Sequence, residues 1–153
     1  IEDEIRAAGV PNESIGFEVT ESAAVSNLGK AQSFINALHE RGCHISLDDF
    51  GAGLSSFAYL KNFQVDTLKI DGSFIRDITD NRISESMVAA ITQVAKVMEL
   101  DTVAEYVEHE KTRKLIQKLG VDFAQGHAIG KPQPLDEVLA ELKGAGLKSG
   151  SEG

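Results

Sequence analysis

Asp48-Asp49-Phe50-Gly51-Ala52-Gly53 is the segment of this 153-residue chain whose residue types most directly imply chemistry. Two carboxylates held together suit hard cations such as Mg²⁺ or Mn²⁺, which prefer oxygen ligands. A pair of such ions about 3.5–4 Å apart can activate water against a phosphodiester. Adjacent side chains on a strand point to opposite faces, so both aspartates serve one site only if the strand ends or bends there. Gly51 and Gly53 permit such a bend. The alternative is an Asp-rich turn that caps a helix near Leu54.

Other polar residues stand at equivalent places. Glu18 and Glu21 lie at the end of the strand-like run Ile15–Thr20, Lys69 and Asp71 at the end of Thr67–Ile70, Glu105 at the end of Thr102–Ala104, and Gln125 lies in Phe123–Ile129. Glu18 between Phe17 and Val19 needs a cation partner, because unpaired buried charge is costly. Glu21 is either a loop stabiliser or helix cap, or a direct participant. Lys69 could hold an attacking water or neutralise phosphate charge; otherwise it makes an internal salt bridge. Asp71 could anchor the turn at Gly72. Glu105 is a candidate metal ligand or general base. Glu108 supports the site or caps the next helix. Gln125 orients water or substrate, or bonds to backbone near Gly126. His127 lies near the mouth of the site. His39 and His109 read as solvated, and the four histidines do not form a metal-ligand spacing with Cys43. No phosphate-binding glycine loop is present.

The elements that must position these residues are read from periodicity. Strands are predicted at Ile15–Thr20, His44–Leu47, Thr67–Ile70, Thr102–Ala104 and, less regular, Phe123–Ile129. Helices are predicted at Leu28–Arg41, Ser55–Asn62, Ser84–Met98, Glu110–Leu119 and Leu135–Leu142, with residues 144–153 as a flexible Gly/Ser-rich tail. Five successive βα units argue for an α/β fold with a parallel sheet. Polar residues that repeatedly close the apolar runs match the active face of a (β/α)8 barrel of the TIM type.

Composition bounds the rest. Hydrophobic content of 42% and charged content of 25% suit a globular domain. A net charge of −9 with no basic patch excludes a DNA- or RNA-binding surface. No apolar run approaches the roughly 20 residues of a membrane helix, and no leader segment is recognisable. The single Cys43 reads as core and fits a reducing cytoplasm. The chain begins without Met, as a piece of a longer protein would.

FEVTES, LDDFGAGLSSFAYLKNFQVDTLKIDGSFI, VAEYVE and AQGHAIGKPQPL, in this order, resemble the EAL domain of bacterial cyclic di-GMP phosphodiesterases. The resemblance runs from about Ile1 to Leu142 and places residues 1–143 in the C-terminal portion of that domain. It implies a modified (β/α)8 barrel, two Mg²⁺ or Mn²⁺ ions per complete site, and hydrolysis of cyclic di-GMP to linear pGpG. It further implies Glu18, Asp48, Asp49 and Glu105 as metal ligands, Glu105 alternatively as base, and Lys69 beside metals and water. Glu21 then stabilises the loop after Asp48-Asp49, and Glu108 and Gln125 line the site.

Two residues depart from the family pattern. Tyr106 replaces the glycine of AEGVE and lines the guanine pocket or covers the helix, and His127 replaces a commoner tyrosine. The resemblance also implies that the Glu-Ala-Leu segment and an asparagine ligand precede Ile1. On that reading the chain alone hydrolyses poorly or not at all. It self-associates through an unclosed barrel edge or pairs with the preceding segment. The parent protein is then cytoplasmic, with or without a membrane anchor. The alternative is an inactive domain that binds cyclic di-GMP as a sensor or serves as an interaction module.

Overall fold

A computed structural model of the chain describes residues 9–52 and 58–144, together with Ile5 and Ala7. Five strands alternate with helices: β1 (Gly16–Thr20), β2 (His44–Phe50), β3 (Thr67–Ile70), β4 (Asp101–Ala104) and β5 (Phe123–Ala124). The helices are α1 (Glu21–Ser26), α2 (Leu28–His39), α3 (Gly72–Asp77), α4 (Arg82–Val97), α5 (Glu110–Leu119) and α6 (Leu135–Gly144), with short 3₁₀ turns at Asn12–Ser14 and Leu60–Asn62.

The sheet is parallel throughout, in the order β1-β2-β3-β4-β5. Strands joined in sequence order by right-handed crossovers place their helices on one face, as in a barrel; a doubly wound sheet would reverse its order. The register fixes which residues share a face. Glu18 pairs Ser46, Ser46 pairs Thr67, Lys69 pairs Val103, and Val103 pairs Phe123. With strand alternation, one face therefore carries Glu18, Asp48, Lys69 and, just past the strand ends, Glu105 and Gln125.

The opposite face carries Ile45, Leu47, Leu68, Ile70 and Ala104, all fully buried. Against them pack Ile35 of α2, Ile75 of α3, Val88 and Ile91 of α4 and Ile116 of α5. At about 25 cal/mol per Å² of apolar area removed from water, each such side chain contributes about 1.5–3 kcal/mol. The core thus fixes the strand ends from one side only. The polar face stays open: Phe123, which shares it, is 57% exposed.

Caps set the helix starts. Asn27 Oδ1 accepts from Lys30 N (3.1 Å) at α2, Asp71 Oδ1 from Ser73 N (2.8 Å) at α3, and Asn81 Oδ1 from Ile83 N (2.9 Å) at α4. Gly120, at φ 84°, ends α5 in the left-handed conformation.

Several elements differ from the periodicity reading. α1 and α3 were not anticipated: each spans six residues, too few to display a helical period, and each starts from a side-chain cap. Glu21 consequently opens a helix instead of a loop. The reading of Ser55–Asn62 as a helix lies largely outside the described residues; its described end is the 3₁₀ turn at Leu60–Asn62. β5 is two residues long, because Gly126 at φ 151° turns the chain out of the sheet. Residues 145–153, read as a tail, lie outside the described residues.

Candidate active site

The bend required at Asp48-Asp49 is a bulge in β2. Leu47 pairs Leu68 and Phe50 pairs Ile70, so the two aspartates together oppose the single Lys69. Asp49 itself takes φ 54°, a conformation rare outside glycine. Leu47 and Phe50 both stay buried on the helix side, and both aspartates are left for the open face. Gly51, at φ 99°, continues the turn; Gly53 lies outside the described residues.

Lys69 is the centre of the charge arrangement. It is 6% exposed. Its Nζ lies 2.9 Å from each of Glu18 Oε2, Asp48 Oδ1 and Glu105 Oε1. Burial pushes against its charge, but the negative charge of Glu105, Asp48 and Glu18 around it more than offsets this and holds Lys69 above the ordinary lysine range. It is therefore an ammonium at neutral pH, suited to electrostatic work and unsuited to accepting a proton. The bond to Glu18 is well directed. Asp48 Oδ1 is different: it is buried, and no donor meets it at hydrogen-bonding angles. A distance of 2.9 Å to Nζ is thus charge contact without a satisfied lone pair.

Asp48, Asp49 and Glu105 each offer one carboxylate oxygen, all within 4.8 Å of one another. An all-oxygen set of this kind, with one unsatisfied buried oxygen, fits a hard divalent cation. The chemistry of these three residues fits such a cation. Glu18 stands apart from this tight group: its side chain is 57% exposed and reaches the others through Lys69.

Glu21 does other work. It is 4% exposed, accepts from Gly51 N at 2.9 Å and from the Tyr59 hydroxyl. One carboxylate thus ties both ends of the segment that follows Asp48-Asp49. Tyr59 gave no signal in the sequence, because nothing local marks a tyrosine 38 residues away as the partner of Glu21.

Glu105 is held by the turn after β4. Gln125 N donates to Ala104 O (2.8 Å), Val107 N to Gln125 O (3.0 Å) and Ala128 N to Val107 O (2.9 Å). Gly126 is required there, since a Cβ would lie 2.4 Å from Val107 N. Beside this turn a cavity of about 660 Å³ is lined by Glu105, Tyr106, Glu108, Gln125, His127 and Lys131, among others. That volume suits a small-molecule ligand. Lys131 gives no signal in the sequence, because it follows no strand. Asp71, read as a turn anchor, is the cap of α3. Cys43 is buried, as core.

The family model for the EAL domain matches residues 1–132. The chain belongs to the EAL domain family. It is 50% identical over 127 residues to the cyclic di-GMP phosphodiesterase PdeF of Escherichia coli K12, covering 83% of this chain and 17% of PdeF. Among solved EAL structures, the PaMucR phosphodiesterase in complex with c-di-GMP superposes with TM-score 0.85 at 31% identity, over 90% of this chain and 56% of that one. The manganese/cy-diGMP complex of Klebsiella pneumoniae BlrP1 at pH 9.0 superposes with TM-score 0.76 at 31% identity, over 81% and 32%. The chain thus spans about a sixth of PdeF and just over half of the PaMucR chain. The five parallel strands and their helices are the α/β fold of the EAL barrel. No helix among the described residues is long and apolar enough to cross a membrane.

Proposed function

We propose that residues 1–143 form the C-terminal portion of a catalytic EAL domain that hydrolyses cyclic di-GMP to linear pGpG in bacterial second-messenger signalling. The observation that carries this reading is the Asp48–Asp49–Glu105 carboxylate group packed beside a buried, charged Lys69 and a nucleotide-sized cavity. The names of PdeF and of the solved complexes support the choice of substrate.

The net reaction adds water to one phosphorus and breaks its bond to the 3′ oxygen, which takes up a proton. A 5′-phosphate and a free 3′ hydroxyl result. Asp48, Asp49 and Glu105, with Glu18 at the rim, would hold two divalent cations, Mg²⁺ or Mn²⁺. Bound there, such ions polarise the phosphodiester and lower the pKa of water. Lys69 keeps its positive charge among the carboxylates and offsets charge that builds on the phosphoryl oxygens. Glu105, at the cavity wall, is the group placed to take a proton from water when it is not engaged as a ligand. The Gln125 side chain orients water or substrate. Glu21 keeps Asp48-Asp49 in register by holding Gly51. Glu108 and His127 line the nucleotide space.

This reading places the domain in the cytoplasm, where the second messenger is made. It also has the open polar face covered by further chain of the same protein or by a second copy. The test is a product assay on the protein carrying this chain, with Mg²⁺ or Mn²⁺. The expected result is pGpG release that Asp48→Asn abolishes. Binding of cyclic di-GMP with no release in the wild type would overturn it.

A further inference from the structure

Tyr106 has no part in the proton and charge chemistry above, yet its surroundings are specific. Its backbone takes φ 53°, a conformation that non-glycine residues seldom adopt. Its ring lies against Gly72, the first residue of α3: a Cβ there would come within 2.1 Å of Cδ2 and 2.7 Å of Cε2. Arg76, one turn further along α3, sets its guanidinium carbon 4.0 Å from the ring centroid. Tyr106 lines the cavity and Arg76 does not. Arg76 covers one side of the ring, and Tyr106 still remains 49% exposed.

We propose that the open side of the Tyr106 ring is a stacking platform for a purine base of the nucleotide substrate, backed by Arg76. This rests on the function proposed above and adds a specificity residue to it. Three properties fit the role. The ring packs against Gly72 and Arg76, so fewer rotamers remain to be lost on stacking. The guanidinium behind it draws electron density from the ring, so the open face suits an electron-rich base. Its neighbour in sequence is Glu105, one of the carboxylates, and the two line the same cavity. The Tyr106 conformation is strained by about 1 kcal/mol or more, and the contacts with Gly72 and Arg76 offset that strain.

The experiment is calorimetric titration of cyclic di-GMP into the protein carrying this chain, with Ca²⁺, the cation of another BlrP1 complex. Tyr106→Gly removes the ring while suiting the positive φ, so its fold is preserved; thermal melting checks this, and Tyr106→Asn, which also tolerates that φ, repeats the measurement. Base–aromatic stacking of about 1–3 kcal/mol per base predicts a Kd raised roughly fivefold to a hundredfold or more in both variants. Tyr106→Phe should bind within about twofold of wild type, and Arg76→Gln should weaken binding in the same direction. Wild-type affinity in Tyr106→Gly would overturn the platform and leave the proposed function standing. No binding by the wild type would overturn the proposed function and the platform with it.

Discussion

Replacing Lys69 with Met leaves three carboxylates facing one another with no cation among them. The contacts are not equal. Glu18 is 57% exposed, so its bond to Lys69 is screened and contributes no more than about 1 kcal/mol. Asp48 and Glu105 are mostly buried, at 20% and 13% side-chain exposure. Removing one partner of a buried ion pair costs about 3–5 kcal/mol, because the charge left behind cannot be solvated. The predicted loss for Lys69→Met in EDTA is therefore about 3–5 kcal/mol at pH 7. For a domain of this size, that corresponds to a melting temperature lower by roughly 6–20 °C.

Two further results follow from the same charges. Mn²⁺ should stabilise Lys69→Met more than wild type, since the metal now meets uncompensated carboxylates. The loss should also shrink as pH falls, because acid neutralises the carboxylates that the missing cation leaves facing one another. Urea unfolding from pH 5 to 8, with EDTA and with Mn²⁺, checks all three. A loss under 1 kcal/mol with no pH or metal dependence would refute the view that Lys69 balances these acids.

Glu21→Gln should destabilise by about 1–3 kcal/mol, since a buried carboxylate that bonds Gly51 N and the Tyr59 hydroxyl loses its charge-assisted partners; urea unfolding measures it, and turnover should fall in step as Asp48-Asp49 loses its register. Gly72→Ala should destabilise by about 1–3 kcal/mol through overlap with the Tyr106 ring, and Tyr106→Gly should remove most of that loss in a double-mutant cycle. Hydrogen bonds from Ser84 and Asn81 hold the Asp77 carboxyl below its ordinary range, and a hydrogen bond from Arg113 does the same for Glu110. A depressed folded-state pKa gives stability that is complete above the unfolded-state value and is lost as pH falls through the folded one. Asp77→Ala and Glu110→Ala should therefore unfold more readily than wild type near pH 6 and approach it near pH 3.

The strands and the acids at their ends were legible because both signals are local: an apolar run, then a charge. The face shared by Glu18, Asp48 and Lys69 also follows from alternation once the strands are parallel. What could not be read was the bulge. Asp49 adopts a positive φ that its residue type only tolerates, and the extra residue in β2 shows itself only against Lys69 in β3. Glu18 illustrates the reverse case. Its place between Phe17 and Val19 suggested a buried charge in need of a cation; the side chain is instead 57% exposed, because the sheet face it shares is open, and it still meets Lys69, 51 residues away. The seat of Tyr106 on Gly72 was hidden because α3 is too short to display a period, so Gly72 reads only as a turn and Arg76 carries no signal.

The central claim is that Asp48, Asp49 and Glu105 together hold a divalent cation. Manganese binding followed by electron paramagnetic resonance tests it most directly, on the protein carrying this chain and on its Asp48→Asn, Asp49→Asn and Glu105→Gln variants. The expected result is loss of the bound-manganese signal at micromolar metal in each variant, with melting in EDTA unchanged or raised because a repelling charge has gone. Wild-type manganese affinity in all three variants would contradict it.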